Sequence, residues 1–186
     1  MNMDGNKKVS FTKRVTTDHC LNVILAGKGG QGVILAGHVL LRSCLLKGLQ
    51  AKRSEVHGMA QRGGSVVVHL RMGEAVHSPV IPYGQVHFII GIDANEGHRW
   101  TPLLAAHGQL ITLTEAETEA LPHARFKNIA TLSKFLNHLR KVTYFKNVLG
   151  SVLKSFSRAD IENVLREKMS EEIVNRNMAV FEKYSN

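Results

Sequence analysis

The stretch of sequence that decides the fold is Leu21-Asn22-Val23-Ile24-Leu25-Ala26-Gly27-Lys28-Gly29-Gly30-Gln31-Gly32. Its first six residues are an apolar run of the kind typical of a buried strand. Its last six contain four glycines, which allow a tight turn and close approach of the backbone to another group. The residues that follow, 33–47, are apolar nearly all round and predict a well-covered helix. The order is therefore strand, glycine-rich turn, helix.

This turn has two alternative interpretations as a binding site. The amides at the start of a helix form a natural anion site, and Gly27, Gly29 and Gly32 fit the G-x-G-x-x-G pattern of dinucleotide-binding proteins. Glu55 lies near the place where such a site carries an acidic residue for the ribose. However, the glycine-rich segment after Glu55 is too long for a simple βαβ unit.

A nucleotide-triphosphate P-loop is excluded by the residues that follow the turn. Gly32 is followed by Val33 and Ile34, whereas a P-loop requires Lys and then Ser or Thr. The turn is therefore expected to contact a phosphate or other anion, or else to pack the helix against the strand or against a partner chain.

A second glycine-rich stretch spans residues 54–65 and is polar, without clear periodicity. Such a segment predicts a surface loop, where functional groups are concentrated. Glu55 and His57 are weak candidates for an acid–base pair, since histidine titrates near neutrality and a carboxylate can orient it. Without a second catalytic group in view, a structural hydrogen-bond network is the favoured alternative, and no catalytic residue is assigned.

The rest of the chain predicts an α/β domain. Strands are predicted at residues 50–53, 66–71, 75–77, 86–92, 109–113 and 126–130, and helices at 95–106, 134–139, 143–154, 159–168 and 171–183. Strands and helices alternate early in the chain, which favours a three-layer, Rossmann-like fold with a largely parallel sheet. A hairpin after Ser65 makes the sheet mixed, and the last helices form a helical C-terminal segment.

Composition bounds the possible functions. The 186 residues carry a formal charge of +9 and 6% aromatic residues, and no nucleic-acid-binding motif is present, so nucleic acid is not an expected partner. Residues 1–19 are predicted to be a flexible basic leader. That leader lacks the apolar core of a secretory signal, and no apolar run reaches the roughly 20 residues of a membrane span. The chain is therefore expected to be cytoplasmic and not to associate with a membrane.

Metal chemistry is not expected of this chain alone. It has two cysteines, whereas iron–sulfur clusters usually need four thiolates, so Cys20 and Cys44 are expected to be buried thiols. The ten histidines show no spacing typical of metal ligands, and no metal site is predicted.

The two glycine-bearing stretches are more specific together than either is alone. They are Gly29-Gly30-Gln31-Gly32 after a strand and Ser54-Glu55-Val56-His57-Gly58-Met59-Ala60-Gln61-Arg62-Gly63-Gly64-Ser65-Val66. Together they resemble the gamma domain of 2-oxoacid:ferredoxin oxidoreductases, in particular the small (beta) subunit of indolepyruvate ferredoxin oxidoreductase. Residues 78–82 and the tail from 147 to 182 are similar to that branch too, so the resemblance covers residues 20–184.

The resemblance implies a subunit, not a complete enzyme. In that family the holoenzyme oxidatively decarboxylates a 2-oxoacid such as indole-3-pyruvate or another arylpyruvate, coenzyme A takes the acyl group, and ferredoxin takes the electrons. Thiamine diphosphate, Mg and the iron–sulfur clusters are expected on a large (alpha) partner subunit, with ferredoxin reached through the complex. Residues 20–186 are then a single gamma-type catalytic domain that binds no cofactor alone. A homo-oligomer of the isolated chain is a further possibility.

The resemblance, the glycine density and the local positive charge together predict the site. The two glycine-rich stretches are expected to form the edge that meets the large subunit near its active site, in contact with a phosphate of coenzyme A or of a cofactor. The candidate contact residues are Gly27, Lys28, Gly29, Gly30, Gln31, Gly32, Arg62, Gly63 and Gly64. The alternative function is a stand-alone Rossmann-like module that holds a dinucleotide or nucleotide at Gly27–Gly32.

Overall fold

The computed structural model describes residues 20–58, 63–121, 127–141 and 156–185. The strands are β1 Cys20–Lys28, β2 Gln50–His57, β3 Ser65–Gly73, β4 Val86–Gly91 and β5 Leu104–Thr112. The helices are α1 Val33–Leu46, α2 Ala94–Arg99, α3 Glu115–Glu119, α4 Lys127–Lys141, α5 Arg158–Arg166 and α6 Glu171–Lys183, and a 3-10 helix spans Thr101–Leu103.

The five strands form one mixed sheet in the order β2-β3-β1-β4-β5. β1 pairs in parallel with β4, and β4 pairs in parallel with β5. β3 is antiparallel to both of its neighbours, β1 and β2. Four strands therefore run in one direction and β3 runs in the other, which confirms the predicted mixed and largely parallel α/β sheet.

Helices cover both faces of the sheet, because β1 is apolar on both sides. Val23 and Leu25 belong to the larger core, which lies under α1, α4, α5 and α6. Ile24 and Ala26 point to the other face and belong to a smaller core. On that face they pack near Trp100, the residue that follows α2. A strand buried on both faces is expected to be continuously apolar, and residues 21–26 show that pattern apart from Asn22.

The polar residue of that run is accommodated by a buried network. Asn22 and Arg71 are 3% and 4% exposed, and Arg71 Nε donates to Asn22 Oδ1 at 3.0 Å. The Asn22 side chain in turn donates to the Gln85 carbonyl at 3.0 Å. The network ties β1 and β3 to the loop that precedes β4, because buried polar groups need such partners.

Two sequence predictions are corrected at β2 and β3. β2 extends to His57, so Glu55 and His57 lie in a strand and not in the predicted loop. Pairing with β3 stabilises this extension, which the polar pattern of β2 did not reveal. The predicted return strand at residues 75–77 is irregular instead, with the Val76 amide donating to Gln50 Oε1 at 2.9 Å.

The second half of the chain needs further corrections. The predicted strand at residues 126–130 is wrong, because α4 begins at Lys127 and buries apolar residues at helical spacing. The helix predicted at 95–106 ends at Arg99; the 3-10 turn with Pro102 follows, and β5 starts at Leu104. Residues 115–119, for which no element was predicted, form α3. The helix predicted at 143–154 and the leader 1–19 lie outside the described residues.

Two helix ends carry the residue types that are usual at those positions. Gly48, just beyond α1, has a φ of +75°, which suits the left-handed residue that often follows a helix. Ser157 caps α5, its hydroxyl accepting the Asp160 amide at 3.1 Å. The C-terminal helical segment is therefore confirmed for α5 and α6.

The contact between Gly91 on β4 and Gly97 on α2 provides a test of this packing. A Cβ placed on Gly97 would lie 2.9 Å from both Gly91 Cα and Leu110 Cδ1. We expect Gly97→Ala to lower the free energy of unfolding by about 1–3 kcal/mol, because the backbone must move to admit the methyl group. Urea denaturation measures this loss. Gly58→Ala is the control, since no atom lies within 4 Å of its Cβ position; equal effects of the two variants would contradict the packing argument.

Candidate functional site

The glycine turn after β1 is closed by the side chain of Gln31. The Lys28 amide donates to Gln31 Oε1 at 2.8 Å, and the Gln31 amide donates to the Lys28 carbonyl at 3.0 Å. Gly30 and Gly32 have φ values of +90° and +79°, which side-chain-bearing residues rarely adopt. The glycines are therefore required by the backbone of the turn itself.

The turn is joined to the second glycine-rich stretch. The Gly29 amide donates to the Gly64 carbonyl at 2.8 Å, and the Gly63 amide donates to the Gly29 carbonyl at 3.3 Å. These bonds continue the β1–β3 ladder beyond the ends of the strands. The structure therefore brings the turn, residues 27–32, next to Gly63 and Gly64. We call the surface formed by these residues the glycine edge. Arg62 lies outside the described residues.

Lys28 is paired with Asp93 at the carboxyl end of β4. Its Nζ lies 3.1 Å from Asp93 Oδ2, and the side chains are 41% and 14% exposed. Burial raises the pKa of the Asp93 carboxyl, but the hydrogen bond from Lys28 and that from the Glu96 amide outweigh burial and hold the pKa below its usual value of 3.8. Asp93 is thus ionised at neutral pH and offsets the charge of Lys28.

A second acidic residue, Glu96 of α2, joins the same edge to β3. Ser65 Oγ donates to Glu96 Oε2 at 2.7 Å, and Glu96 is only 7% exposed. Arg99 Nη1 lies 3.6 Å from the other carboxylate oxygen of Glu96. Glu96 was not predicted from the sequence. The Asp93-x-x-Glu96 spacing, which has the form of a capping box, is the signal that would have pointed to it.

One side of the edge is open and the other is packed. A Cβ on Gly30 or Gly63 would meet no atom within 4 Å, whereas a Cβ on Gly32 would lie 2.6 Å from Asn128 Nδ2. Asn128 of α4 is 3% exposed and donates to the Gly32 carbonyl at 3.4 Å. The packed side of the turn is therefore in contact with α4. The sequence did not indicate this contact.

The open side presents backbone donors. Within the described ranges, no acceptor is found for the amides of Gly30 and Gly32, and no side chain caps the start of α1. Such amides can bind an anion or the carbonyl groups of another chain. The geometry is compatible with both interpretations of the turn.

The two weak catalytic candidates do not form a pair. Glu55 forms an ion pair with Arg53, with 2.9 Å between Glu55 Oε1 and Arg53 Nε. His57 is exposed at the end of β2, where it pairs with Val66, which also pairs with Gly27. His57 thus lies level with the turn but two strand spacings away, about 10 Å. The structure shows no Glu55–His57 bond among the described residues, and neither residue reaches the turn directly.

Among the residues with a described position, no cluster of three or more His, Cys, Asp or Glu side chains could hold a metal. None of the described helices is long and apolar enough to cross a membrane. Cys20 and Cys44 are both buried, and the Cys20 thiol donates to the Ala75 carbonyl at 3.0 Å.

The comparisons with known proteins identify the family. The family described as pyruvate ferredoxin/flavodoxin oxidoreductase matches residues 22–184. The chain belongs to this family. A relative from Archaeoglobus fulgidus, named indolepyruvate oxidoreductase subunit IorB, is 30% identical over 182 residues, which cover 85% of this chain and 90% of that protein. The resemblance stated from the two glycine-rich stretches is therefore confirmed.

Solved structures of ferredoxin oxidoreductases share the fold. The gamma subunit of a keto/oxoacid ferredoxin oxidoreductase from Geobacter sulfurreducens matches with a TM-score of 0.59 and 17% identity, covering 88% of this chain and 95% of that one. A 2-oxoglutarate:ferredoxin oxidoreductase from Magnetococcus marinus matches with a TM-score of 0.65 and 15% identity, covering 89% of this chain but 30% of that one. At these identities the likeness concerns the fold of the family.

Asp93 allows the contributions of capping and charge at this edge to be separated. We expect Asp93→Ala to lower the free energy of unfolding by about 1–2 kcal/mol, since it removes the cap of α2 and the ion pair with Lys28. Asp93→Ser keeps a capping oxygen and should cost about 1 kcal/mol or less, because Lys28 is partly exposed to solvent. Urea denaturation at pH 7 measures both effects.

The pH dependence of the same variants has a defined sign. The pKa of Asp93 is lowered by folding, so its charge stabilises the protein above pH 3.8, and this contribution disappears as pH falls through the lower folded pKa. The wild type should therefore lose its advantage over Asp93→Ser only below about pH 3.8. An advantage that already disappears between pH 7 and pH 5 would contradict this assignment.

Proposed function

We propose that this chain is the gamma-type small subunit of a thiamine-diphosphate-dependent 2-oxoacid:ferredoxin oxidoreductase that acts on indolepyruvate or another arylpyruvate. The observation that carries the proposal is family membership over residues 22–184 together with the similarity to the IorB subunit along 90% of that protein. Residues 20–186 would act as one gamma-type domain, dependent on a large alpha subunit for catalysis.

The proposed reaction is oxidative decarboxylation of the 2-oxoacid. The bond between the keto carbon and the carboxylate breaks and carbon dioxide leaves; coenzyme A takes the acyl group, and the electrons pass to ferredoxin. Thiamine diphosphate with Mg, bound by the large subunit, would supply the carbanion stabilisation that this cleavage needs, and iron–sulfur clusters there would carry the electrons. This chain would bind and position, and would not itself carry out the chemical step.

The glycine edge is the proposed contact with the large subunit. The open side at Gly30 and Gly63 admits another backbone closely, and the amides of Gly30 and Gly32 are available to a phosphate of coenzyme A, to a cofactor or to a partner carbonyl. Because Asp93 offsets the charge of Lys28, attraction for an anion would come from these amides and from Arg62. Lys28 would contribute less, because its charge is offset by the contact with Asp93.

The rival function, a stand-alone dinucleotide-binding module, is disfavoured by the topology. In a Rossmann site the strand that carries the ribose-binding acidic residue lies directly beside the first strand. Here β3 separates β2 from β1, and Glu55 is paired with Arg53. Calorimetry of the isolated chain with NAD, NADP, FAD and coenzyme A distinguishes the two functions, since tight binding of a nicotinamide cofactor would favour the rival.

The glycine edge can be tested with a matched pair of variants. Gly30 and Gly48 both have a positive φ and no atom within 4 Å of a Cβ position, but only Gly30 lies on the proposed contact. Asparagine tolerates this backbone conformation better than most residues, so Gly30→Asn and Gly48→Asn should lose similar, small amounts of stability. We expect Gly30→Asn alone to weaken assembly with the large subunit, or to raise the coenzyme A concentration required, by about tenfold.

The measurement is co-purification of the two subunits followed by reduction of ferredoxin with arylpyruvates, pyruvate and branched 2-oxoacids. Arg62→Ala is expected to act in the same direction as Gly30→Asn. Unchanged assembly and activity in both variants would refute the site while leaving the family intact. Absence of 2-oxoacid-dependent ferredoxin reduction in the wild-type complex would refute the proposed reaction.

A further inference from the structure

The strand β2 lies at one edge of the sheet, with β3 as its only neighbour among the described strands. The Gly58 amide donates to the Ser65 carbonyl at 3.4 Å. Gly58 and Ser65 are therefore a hydrogen-bonded pair of the antiparallel β2–β3 ladder. Because bonded and non-bonded pairs alternate along an antiparallel ladder, the even-numbered residues of β2 bond to β3. The residues whose amides and carbonyls face outward are therefore Ala51, Arg53, Glu55 and His57.

Two of these residues carry opposite charges on the same face of the strand. Arg53 Nε lies 2.9 Å from Glu55 Oε1. Arg53 Nη1 is buried and has no hydrogen-bond acceptor among the described residues. A guanidinium nitrogen without an acceptor is costly, so Glu55 alone does not satisfy the hydrogen-bond donors of Arg53.

The helix α1 adds an apolar stripe next to this edge. One flank of α1 carries Ile34, His38, Leu41 and Leu45, which recur at helical spacing. Ile34 and Leu45 are each 40% exposed. The flank lies beside β2, which α1 contacts. Burial lowers the pKa of His38, and the nearby charges of Arg53 and Lys168 lower it further. An apolar stripe beside an unpaired strand edge is typical of an interface.

We propose that β2 pairs antiparallel with β2 of a second copy of this chain, about a twofold axis at Ser54. In this register Arg53 lies opposite the Glu55 of the second copy, and Glu55 lies opposite its Arg53. The outward residues Ala51 and His57 also oppose each other, so every outward amide and carbonyl of β2 has a partner. The two sheets become one sheet of ten strands, and each Arg53 gains a second carboxylate.

The charges select this register over its neighbours. The outward amides and carbonyls of one β2 strand can bond only to those of the other. The register can therefore shift only in steps that keep odd-numbered residues opposite odd-numbered residues. The nearest shift in one direction places Arg53 opposite Arg53, and in the other direction Glu55 opposite Glu55. Like charges directly opposed are destabilising, and opposite charges are favourable by about 0.2–1 kcal/mol per pair. The Arg-x-Glu pattern is therefore self-complementary in one arrangement only.

The same axis brings the two α1 helices side by side. α1 contacts both β2 and β3, so pairing of the two β2 strands places the two α1 helices on the same face of the joined sheet, with these flanks toward each other. Ile34, Leu41 and Leu45 would then bury their exposed area against the same residues of the second copy. This double complementarity of strand and helix identifies a second copy of the chain as the occupant. The inference is independent of the proposed reaction.

The test is the oligomeric state of the full chain and of charge-reversed variants in analytical ultracentrifugation. The wild type is expected to be a dimer. In Arg53→Glu, two carboxylates lie opposite each other at each of the two symmetry-related positions. In Glu55→Arg, two guanidinium groups lie opposite each other at the same positions. Each single variant is expected to weaken dimerisation about 10–100-fold, since two favourable pairs become unfavourable.

Mixing the two single variants distinguishes the interface from a role within the chain. A mixed dimer of Arg53→Glu with Glu55→Arg has both pairs attractive again, whereas neither variant regains its own internal Arg53–Glu55 pair. The expected result is a dimer in the mixture at concentrations where each variant alone is monomeric. A mixture that stays monomeric while the wild type is dimeric would overturn the register, and a wild type that is monomeric at all concentrations would overturn the proposal.

A disulfide test reports the position of the axis directly. Residues at position 54 face each other across the proposed axis as a non-bonded pair with Cα atoms about 4.5 Å apart, within the range of a disulfide. Ser54→Cys is therefore expected to form a covalent dimer on oxidation. Lys52→Cys is the control, because its equivalent in the second copy would lie about 13 Å away. Equal cross-linking of the two variants, or none at Ser54→Cys, would overturn the proposal.

Discussion

Antiparallel pairing of β3 with both β1 and β2 is the constraint on which the rest of the structure depends. β3 covers one edge of β1 and moves β2 out to the edge of the sheet. It also delivers Gly63 and Gly64 to the end of β1, where they bond to Gly29. A parallel strand in that place would need a long crossover and would end at the opposite side. The glycine edge therefore depends on the direction of a single strand.

The turn is stabilised by groups from three separate elements. Gln31 closes the turn from within, Asp93 binds Lys28 from the start of α2, and Asn128 of α4 contacts Gly32 from behind. These contacts hold the backbone on all sides except the one that presents the Gly30 and Gly32 amides. A backbone held in this way would need little further ordering if a ligand or partner bound to it.

The sequence predicts much of this architecture where local pattern and structure agree. β1, the turn and α1 were predicted because an apolar run, four glycines and a helical run follow one another without ambiguity. The extension of β2 through Glu55 and His57 was missed because an edge strand has no apolar period to reveal it. The start of α4 was misassigned because its first apolar residues form a short run that suits strand or helix equally. Glu96 and Asn128 were not predicted, because each contacts residues that are distant in the sequence.

The contact between Asn128 and Gly32 joins residues 96 positions apart. The turn thus reaches its final shape only when the chain has closed a long loop and α4 has docked, a step whose entropic cost the local glycine pattern does not reveal. Substitutions in α4 can for that reason alter the glycine edge without touching it. Relatives that conserve every glycine of the turn but differ at the start of α4 would present those amides in a different orientation, and the partner surfaces that they fit would differ accordingly.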